Sequence, residues 1–456
     1  MTTQSAIPVK TRRILLCIYG AAFFYFVLKL VYYAVFIGGF PDQRAQLSYI
    51  IEMCRTPSFL PDFSAMPMYE VFSRDGGSWT MQLAEGAVNY LGHPPLYYWL
   101  MSLLGGVTIQ ADGTAAVSTL RLGIANIVLT SGALALAFSL GYRKLKPRSP
   151  LVHALYAFAI AALPMLAYVG ASLNNDNLAF LAMVLFFAGL LRYQEDRLDL
   201  STYLLLGIGF LLGAFSKLTT ALLFLIMLGT CLVMDIVRTR SLRLIANRWF
   251  LVTLPCYLLF LAYELVIHRE YGTWVPGLSD IAPDYFLTTV FYVPPEQREP
   301  ITFLQYVRRF IGGIGYSWSS LYGHNRDVNL MMDNGLWGII YWIPVACAAL
   351  AALRSLFRGS DDRLSLPVMA GFLLTMAYHL YSNWAGHFAT GYLGGIQARY
   401  YLPMIVPIAF LACDRIAPLF ERHKVLGRVL AALLLLGWLA GDVPRLVIAY
   451  GFQAAA

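Results

Sequence analysis

Long apolar stretches recur along most of the chain and are separated by short polar turns. A helix of about 20 apolar residues spans a bilayer core, whereas the strands of a membrane barrel alternate polar and apolar residues. The pattern therefore predicts an all-α, polytopic membrane protein with about eleven transmembrane helices. We place these helices near residues 14–38, 116–141, 151–171, 177–192, 202–216, 219–237, 249–268, 336–356, 364–382, 400–414 and 425–441. The first stretch is longer than a signal-peptide core, so we expect it to be an uncleaved span.

Two segments are too long to be turns, and both carry aromatic and apolar residues. They divide the chain into a transmembrane module at 1–268 with a first outer loop at 41–115, a second outer loop at 269–335, and C-terminal helices at 336–456. Long ordered loops in a compact protein are usually functional. Within the first loop, residues 46–54 and 95–104 read as helices in the plane of the membrane interface, with Tyr49, Tyr97, Tyr98 and Trp99 at headgroup depth.

Composition agrees with this architecture. The chain is 59% hydrophobic and only 13% charged, whereas soluble chains contain about 25% charged residues. These values exclude a soluble enzyme and a disordered chain. The net charge of +8 is uneven, because most Lys and Arg residues fall in the turns that we assign to the cytoplasm, which also places the N-terminus there. The basic charge therefore indicates membrane orientation and no nucleic-acid partner.

Five ionisable residues lie at span ends on the predicted outer side: Asp42, His93, Asp176, Lys217 and Arg399. Charges at membrane depth are costly and often mark a functional site. Each has an ordinary structural explanation: a helix cap for the two aspartates, a structural role for the histidine, and snorkelling for the lysine. The arginine begins a helix, where it opposes the helix dipole and calls for a compensating anion.

Taken together, these residues describe a site with two carboxylates and three potential cations beside the lipid. Such a site suits a lipid-linked phosphate whose headgroup reacts. The cations would hold the phosphate, and a carboxylate would take a proton from an incoming hydroxyl group.

The five residues and the motifs around them resemble the GT-C superfamily of polyprenyl-phosphate-sugar-dependent membrane glycosyltransferases. The likeness is to the bacterial branch with the protein O-mannosyltransferases and the lipid A aminoarabinose transferases. It covers the first 220 residues in order and then the Gln-Ala-Arg-Tyr-Tyr-Leu-Pro stretch at 397–403. The family implies a GT-C-like fold and inversion at the anomeric carbon of the sugar.

The resemblance also implies roles for the acidic residues. Asp42 matches the first-loop acid that serves as general base or orients the acceptor. Many members have a second acid beside it, where this chain has Gln43, which argues against a shared metal site. Asp176 matches the acid of an Asn-Asp motif, and it would orient the acceptor or hold Lys217.

The donor phosphate is expected to bind four residues. His93 stands in a His-Pro-Pro motif, Lys217 in a Ser-Lys motif, and Arg399 and Tyr400 form an Arg-Tyr element. For contacts with the acceptor or the sugar, the candidates are Arg44, Tyr316 and Trp318. The last two lie in a Gly-rich aromatic stretch at 312–320 that resembles a loop of some bacterial members, and their rings could equally be interfacial anchors.

The sequence thus predicts a glycosyltransferase of the cytoplasmic (inner) membrane with its active site on the periplasmic or extracellular side. The expected partners are a polyprenyl-phosphate-linked sugar and a glycan, lipid or protein acceptor. No cofactor is expected to be required, and Mg²⁺ or Mn²⁺ is left open. Two alternatives stand beside this prediction: a transporter or flippase of a lipid-linked or anionic substrate, and a glycan polymerase or ligase that uses a lipid diphosphate.

Overall fold

A computed structural model describes residues 8–37, 40, 42–145, 148–325, 328–332, 335–358 and 362–450. The predicted end of the first span near residue 38 lies outside these ranges. The N-terminal part contains the helices α1 (Val9–Tyr32), which continues into a π-helical turn at Tyr33–Ile37, α2 (Gln43–Arg55), α3 (Leu96–Ser102), α4 (Thr119–Lys144), α5 (Pro150–Ala161), α6 (Pro164–Gly170), α7 (Asp176–Gln194), α8 (Leu200–Ala214), α9 (Leu218–Thr239) and α10 (Arg248–Tyr271).

The C-terminal part is also mainly helical. It contains α11 (Leu278–Ile281), α12 (Pro283–Phe286), α13 (Phe303–Ser319), α14 (Ile343–Arg358), α15 (Ser365–Thr390), α16 (Ile405–Arg422), α17 (Lys424–Ala440) and α18 (Val443–Tyr450). Short 3₁₀ helices lie at Pro295–Gln297, Gly335–Trp342 and Ala398–Met404.

The predicted membrane-protein architecture is confirmed. In the described part of the chain, seven helical segments are long and apolar enough to cross a membrane, or eight if α5 and α6, which meet at a 53° bend, form one broken span. Each of the eleven predicted stretches overlaps a helix, although the second, 116–141, begins in a strand at Ala115–Ser118 and becomes helical only from Thr119. The number of eleven spans is not confirmed, because α8 is short and the helices α15 and α16 are not among the candidate spans.

Helix α7 lies at the centre of the bundle, and 78% of the apolar stretch that could cross the membrane is buried inside the protein. It packs closely against α8, because Gly209 has no side chain: a Cβ atom there would lie 2.7 Å from the backbone nitrogen of Phe186. On another side, the rings of Phe186 and Phe224 stack with centroids 4.1 Å apart, which ties α7 to α9. This rigid centre carries the first residue of α7 at its outer end.

The first outer loop contains a sheet that the sequence analysis did not predict. Four antiparallel strands, β1 (Pro67–Asp75), β2 (Ser78–Val88), β3 (Val107–Ile109) and β4 (Ala115–Ser118), lie in the order β1-β2-β4-β3. The register pairs Val71 with Met81 and Trp79 with Val117. The turn between β1 and β2 contains Gly76 and Gly77, both with positive φ, and such a turn is typical of a β-hairpin. Two further strands, β5 (Leu321–Asn325) and β6 (Val328–Met332), pair in antiparallel orientation.

The two loop helices are present as α2 and α3, but three of their tyrosines are not surface residues. Tyr49, Tyr97 and Tyr98 are fully buried, so the expectation that they face lipid headgroups is wrong. The rings of Tyr49 and Tyr98 stack with centroids 3.7 Å apart, which joins α2 to α3. The stretch at 312–320 is likewise not a loop, because α13 continues to Ser319.

Candidate active site

Asp42 stands immediately before α2 in a left-handed backbone conformation with φ 60°. Such a conformation is uncommon for a residue other than glycine and costs about 1–3 kcal/mol. An Asp in this position ordinarily caps the helix with its side chain, but here the carboxylate makes no capping bond. Instead it accepts a hydrogen bond from Tyr90 Oη at 2.8 Å and pairs with Arg399. The side chain is thus turned toward a cation from the far end of the chain.

Arg399 is held on the 3₁₀ helix Ala398–Met404 and is 6% exposed. The start of this helix is fixed by a hydrogen bond of 2.8 Å from the Ala398 amide to Ser317 Oγ on α13. The guanidinium donates from Nη2 to Asp42. Its Nε and Nη1 atoms are buried and have no hydrogen-bond acceptor among the described residues. A buried donor without an acceptor costs about 1–3 kcal/mol, so the site is built for an additional acceptor group.

The second ion pair joins Asp176, the first residue of α7, to Lys217, which lies between α8 and α9. Both side chains are buried, at 2% and 5% exposure, and Asp176 Oδ2 has no hydrogen-bond partner within the described ranges. The Lys217 ammonium lies 4.7 Å from the centre of the Tyr400 ring, and the Arg399 guanidinium lies 5.6 Å from it. Tyr400 therefore connects the two ion pairs through cation–π contacts.

His93 lies beside both pairs on a segment with little conformational freedom. Pro94 and Pro95 follow it, and its carbonyl accepts a hydrogen bond from Tyr49 Oη at 2.8 Å. The next helix is fixed as well, because the Leu96 amide donates to the carbonyl of Phe215, two residues before Lys217. The half-buried imidazole therefore occupies a defined position, close enough to the charges of both ion pairs to interact with them electrostatically.

The charge states follow from burial and from these neighbours. Burial and the nearby Lys217 ammonium lower the pKa of His93 to about 4, so the imidazole is neutral at pH 7, although the sequence analysis counted it as a cation. For Asp42, burial acts to raise the pKa, but Arg399 and the hydrogen bond from Tyr90 outweigh it and hold the pKa below its usual value. The Asp42 carboxylate is therefore ionised at neutral pH.

A buried network of amides supports the floor of the cluster. Asn175 Nδ2 donates to the Ser216 carbonyl at 2.8 Å, and Ser216 Oγ donates back to the Asn175 carbonyl at 2.7 Å. Asn177 Nδ2 and Tyr97 Oη both donate to Oδ1 of Asn126 on α4, at 2.8 and 2.9 Å. These bonds fix the starts of α3, α7 and α9 relative to one another. They also satisfy the side-chain amides of the asparagines, whose burial without hydrogen bonds would cost free energy.

Three predicted contact residues have other neighbours. Arg44 Nε donates to the Tyr69 carbonyl at 2.8 Å and so anchors β1 to α2. Trp318 is fully buried, and its indole donates to the Tyr341 carbonyl at 3.2 Å. Tyr316 is half-buried on α13, the helix that also holds Ser317 against the 3₁₀ helix of Arg399. The structure gives Arg44 and Trp318 structural partners and does not join them to the ion pairs.

Sequence reasoning missed Tyr90, whose hydroxyl contacts Asp42 directly. Its ring lies 5.4 Å from that of Phe291, which in turn lies 5.3 Å from that of Tyr392. The second outer loop thus reaches the cluster through aromatic contacts. The available signal was the position of Tyr90, three residues before the His-Pro-Pro motif, but tyrosine is too common in this chain to single out one member.

The described residues contain no group of three or more His, Cys, Asp or Glu side chains that could hold a metal ion. Each carboxylate of the cluster is paired with a cation rather than with a second carboxylate. The cluster therefore offers an ionised carboxylate, a neutral imidazole and two basic side chains, of which Arg399 has buried N–H groups without an acceptor among the described residues.

Among the solved structures with a similar fold are a bacterial and an archaeal protein. ArnT from Cupriavidus metallidurans, bound to undecaprenyl phosphate, is 13% identical with a TM-score of 0.51, over 91% of this chain and 63% of that one. The Archaeoglobus fulgidus oligosaccharyltransferase, in complex with Zn and sulfate, is also 13% identical with a TM-score of 0.51, over 95% of this chain and 53% of that one. This chain thus spans less than two thirds of either protein. No curated protein sequence matches it.

The chain thus shares the fold of these two structures, and the GT-C-like fold that the sequence resemblance implied is confirmed. Residues 76–408 match the model of the family described as Predicted membrane protein (DUF2142). That match covers more than half of the sequence, and the chain belongs to this family.

Proposed function

We propose that this protein is a membrane glycosyltransferase that moves a sugar from a polyprenyl-phosphate donor to a hydroxyl group of a glycan, lipid or protein acceptor. The GT-C fold supports this class of reaction. The observation that carries the proposal is the pair of buried, unpaired N–H groups on Arg399, next to an ionised Asp42. A phosphate supplies the acceptors that these groups lack.

In the proposed reaction the acceptor oxygen attacks the anomeric carbon of the sugar from the face opposite the phosphate. A bond forms between this oxygen and the carbon, while the bond from the carbon to the phosphate oxygen breaks and the phosphate takes the electron pair. Asp42 receives the proton of the acceptor hydroxyl. The product sugar is inverted at the anomeric carbon, because a single displacement occurs.

The departing phosphate would be held by Arg399, Lys217, Tyr400 and the neutral His93. The two cations stabilise the negative charge that develops on the phosphate, which is the largest contribution in many transferases. Burial lowers the pKa of Lys217, and the Asp176 carboxylate counteracts this shift and orients the amine toward Tyr400. A neutral imidazole can donate a hydrogen bond to the phosphate without adding to the repulsion between the two cations.

The active site would face the periplasmic or extracellular side of the cytoplasmic membrane. The support for this orientation is the accumulation of Lys and Arg residues at the opposite ends of the helices. No cofactor is needed for the displacement. The archaeal neighbour was solved with Zn and sulfate, and a divalent ion is therefore one variable of the test.

The test uses purified protein in detergent, a panel of radiolabelled polyprenyl-phosphate sugars, and a membrane extract as the source of acceptors. We expect the wild type to consume one donor, and Asp42→Asn to abolish turnover while donor binding is largely retained. Glu85→Gln is the matched control, because Glu85 is an exposed acid of the same outer loop without a hydrogen-bond partner within the described ranges. EDTA and added Mn²⁺ test for a metal requirement.

Wild-type turnover by Asp42→Asn would contradict its assignment as the base. If no donor is consumed, while ArnT works under the same conditions, the proposed reaction is wrong. A transporter would instead move a lipid-linked substrate across vesicles without consuming it. A lipid-diphosphate polymerase would be active with diphosphate donors, and its activity would not change in Asp42→Asn.

A further inference from the structure

A crevice of about 530 Å³ lies between α1, α5 and the junction of α16 with α17. Its walls are formed by Ile18, Ser149, Pro150, Leu151, Ala154, Phe420, Lys424 and Arg428. The helices α5 and α17 both begin here. Helix α1 passes the crevice at Ile18 and runs on for 14 residues, or about 21 Å, before it ends toward Asp42. The crevice therefore lies at the end of the bundle opposite to the candidate active site.

One side of this crevice is positively charged. Lys424 and Arg428 are four residues apart on α17, so they lie on the same face of the helix. Both are exposed, and neither forms an ion pair within the described ranges. Ser149 lies across from them at the start of α5, where its hydroxyl makes no capping hydrogen bond. The two cations thus have no counter-charge on the described protein surface, and a hydroxyl donor is available beside them.

The remaining walls are apolar. Ile18, Leu151, Ala154 and Phe420 are all partly exposed to the crevice. A soluble anion would use the cations and leave these side chains in contact with water. A molecule with an anionic head and an alkyl chain satisfies both parts, because the alkyl chain covers the apolar wall while the head neutralises the cations.

We propose that this crevice binds an anionic glycerophospholipid. The phosphodiester would lie between Lys424 and Arg428, with Ser149 as a further donor, and an acyl chain would follow Ile18 and Phe420 toward the bilayer. The charge pattern argues for the inner leaflet, because the crevice opens at the same end of the bundle as the basic N-terminal part of α1. This site is independent of the proposed sugar transfer.

The experiment measures lipid binding by native mass spectrometry of the full-length protein after reconstitution with an equimolar mixture of phosphatidylglycerol and phosphatidylcholine. We expect the wild type to retain phosphatidylglycerol preferentially, and the double variant Lys424→Gln with Arg428→Gln to lose this preference roughly tenfold. The matched control is Arg354→Gln with Arg422→Gln. It removes two exposed positive charges that lie outside the crevice.

Equal preference in the crevice variant and in the control variant would overturn the proposal, and so would equal retention of the two lipids by the wild type. A second readout is the thermal midpoint in detergent. Phosphatidylglycerol should raise it in the wild type and in the control, and should leave it unchanged in the crevice variant. If the double variant aggregates, Arg428→Gln alone is compared with Arg422→Gln alone by both methods.

Discussion

At the scale of single residues, the arrangement around Asp42 combines an unfavourable backbone with a favourable side-chain environment. The left-handed conformation and the unused helix cap both cost stability. The carboxylate is stabilised in this position because one oxygen accepts a hydrogen bond from the Tyr90 hydroxyl and the other pairs with the Arg399 guanidinium. Strain of this kind persists only where the surroundings enforce it, and it is concentrated at functional sites.

Both oxygens of Asp42 are occupied, so in the proposed reaction an acceptor hydroxyl has to displace one donor or approach a second lone pair. Tyr90 is the neutral donor and therefore the easier one to displace. Arg399 is the stronger partner, because its bond to the carboxylate is charge-assisted. We infer that Tyr90 tunes the basicity of Asp42, while Arg399 fixes its position.

Replacing Tyr90 by Phe tests this. The variant removes one interaction that lowers the pKa of Asp42, so this pKa should rise toward the value that burial favours. Because Asp42 as the proposed base works in its ionised form, the acid limb of the kcat/KM profile should move to higher pH. A hydrogen bond to a charged group is worth about 1.5–3 kcal/mol, which corresponds to an upward move of the acid limb by roughly one to two pH units.

The control for this variant is Tyr292→Phe, which removes a hydroxyl from the second outer loop without a bond to Asp42. Its acid limb should coincide with that of the wild type. An unmoved acid limb in Tyr90→Phe would show that the hydroxyl does not tune Asp42.

At the scale of elements, the cluster depends on contacts between segments that come from both outer loops. A clear case is Gly92, directly before His93. A Cβ atom there would lie 2.1 Å from the carbonyl oxygen of Pro276, which follows α10. Only glycine permits the two backbones to approach so closely. The position of the imidazole is therefore set partly by the start of the second outer loop.

The substitution Gly92→Ala should separate these two segments. We expect a cost of about 1–3 kcal/mol in stability, as for other overpacked positions, and a larger loss of activity because His93 moves with the backbone. Turnover and the thermal midpoint are measured on the same preparation. Gly312→Ala on α13 is the control, because a Cβ atom at that position meets no neighbour. Equal activity in the two variants would contradict the inference.

At the scale of the whole molecule, the first and last helices are joined by a buried ion pair. Lys29 on α1 lies 2.5 Å from Asp442, between α17 and α18, and both side chains are fully buried. The Lys29 ammonium also donates to the carbonyls of Ala161 and Leu163 at the bend between α5 and α6, and Tyr25 donates to Asp442. Lys29 on α1 thus binds both Asp442 near α18 and the bend between α5 and α6. At this bend, helix carbonyl groups lack a partner within their own helix.

Breaking this pair should destabilise the protein as a whole. Lys29→Met leaves the Asp442 carboxylate buried without a counter-charge, which costs about 3–5 kcal/mol. The double variant Lys29→Met with Asp442→Asn should recover part of the loss, since the uncompensated charge is gone. The measurement is the thermal midpoint in detergent.

The reference for this comparison is Lys144→Met, which breaks the more exposed pair with Glu195 on another part of the bundle. An exposed pair is worth about 0–1 kcal/mol, so its loss should change the midpoint little. A Lys29→Met variant as stable as Lys144→Met would show that the buried pair does not hold the ends together.

Sequence and structure agree where the signal is local. The length and hydrophobicity of each stretch are read from neighbouring residues, and each of the eleven predicted stretches overlaps a helix. The sheet of the first outer loop was missed because its pairing is not local: Trp79 on β2 pairs with Val117 on β4. The hairpin signal Asp75-Gly76-Gly77-Ser78 was present in the sequence, but no secondary structure was predicted for that part of the loop.

The sequence by itself determined the membrane architecture, the uneven charge of the two sides, and the short set of ionisable residues from which a site could be built. Each of these follows from residue type and spacing alone. Only the tertiary structure decided which charges pair, because Asp42 and Arg399 are 357 residues apart and Asp176 and Lys217 are 41 apart. It also decided that Tyr90 contacts Asp42 and that His93 is neutral. The pKa of a side chain depends on its burial and on neighbouring charges, and both depend on contacts between residues that are distant in the sequence.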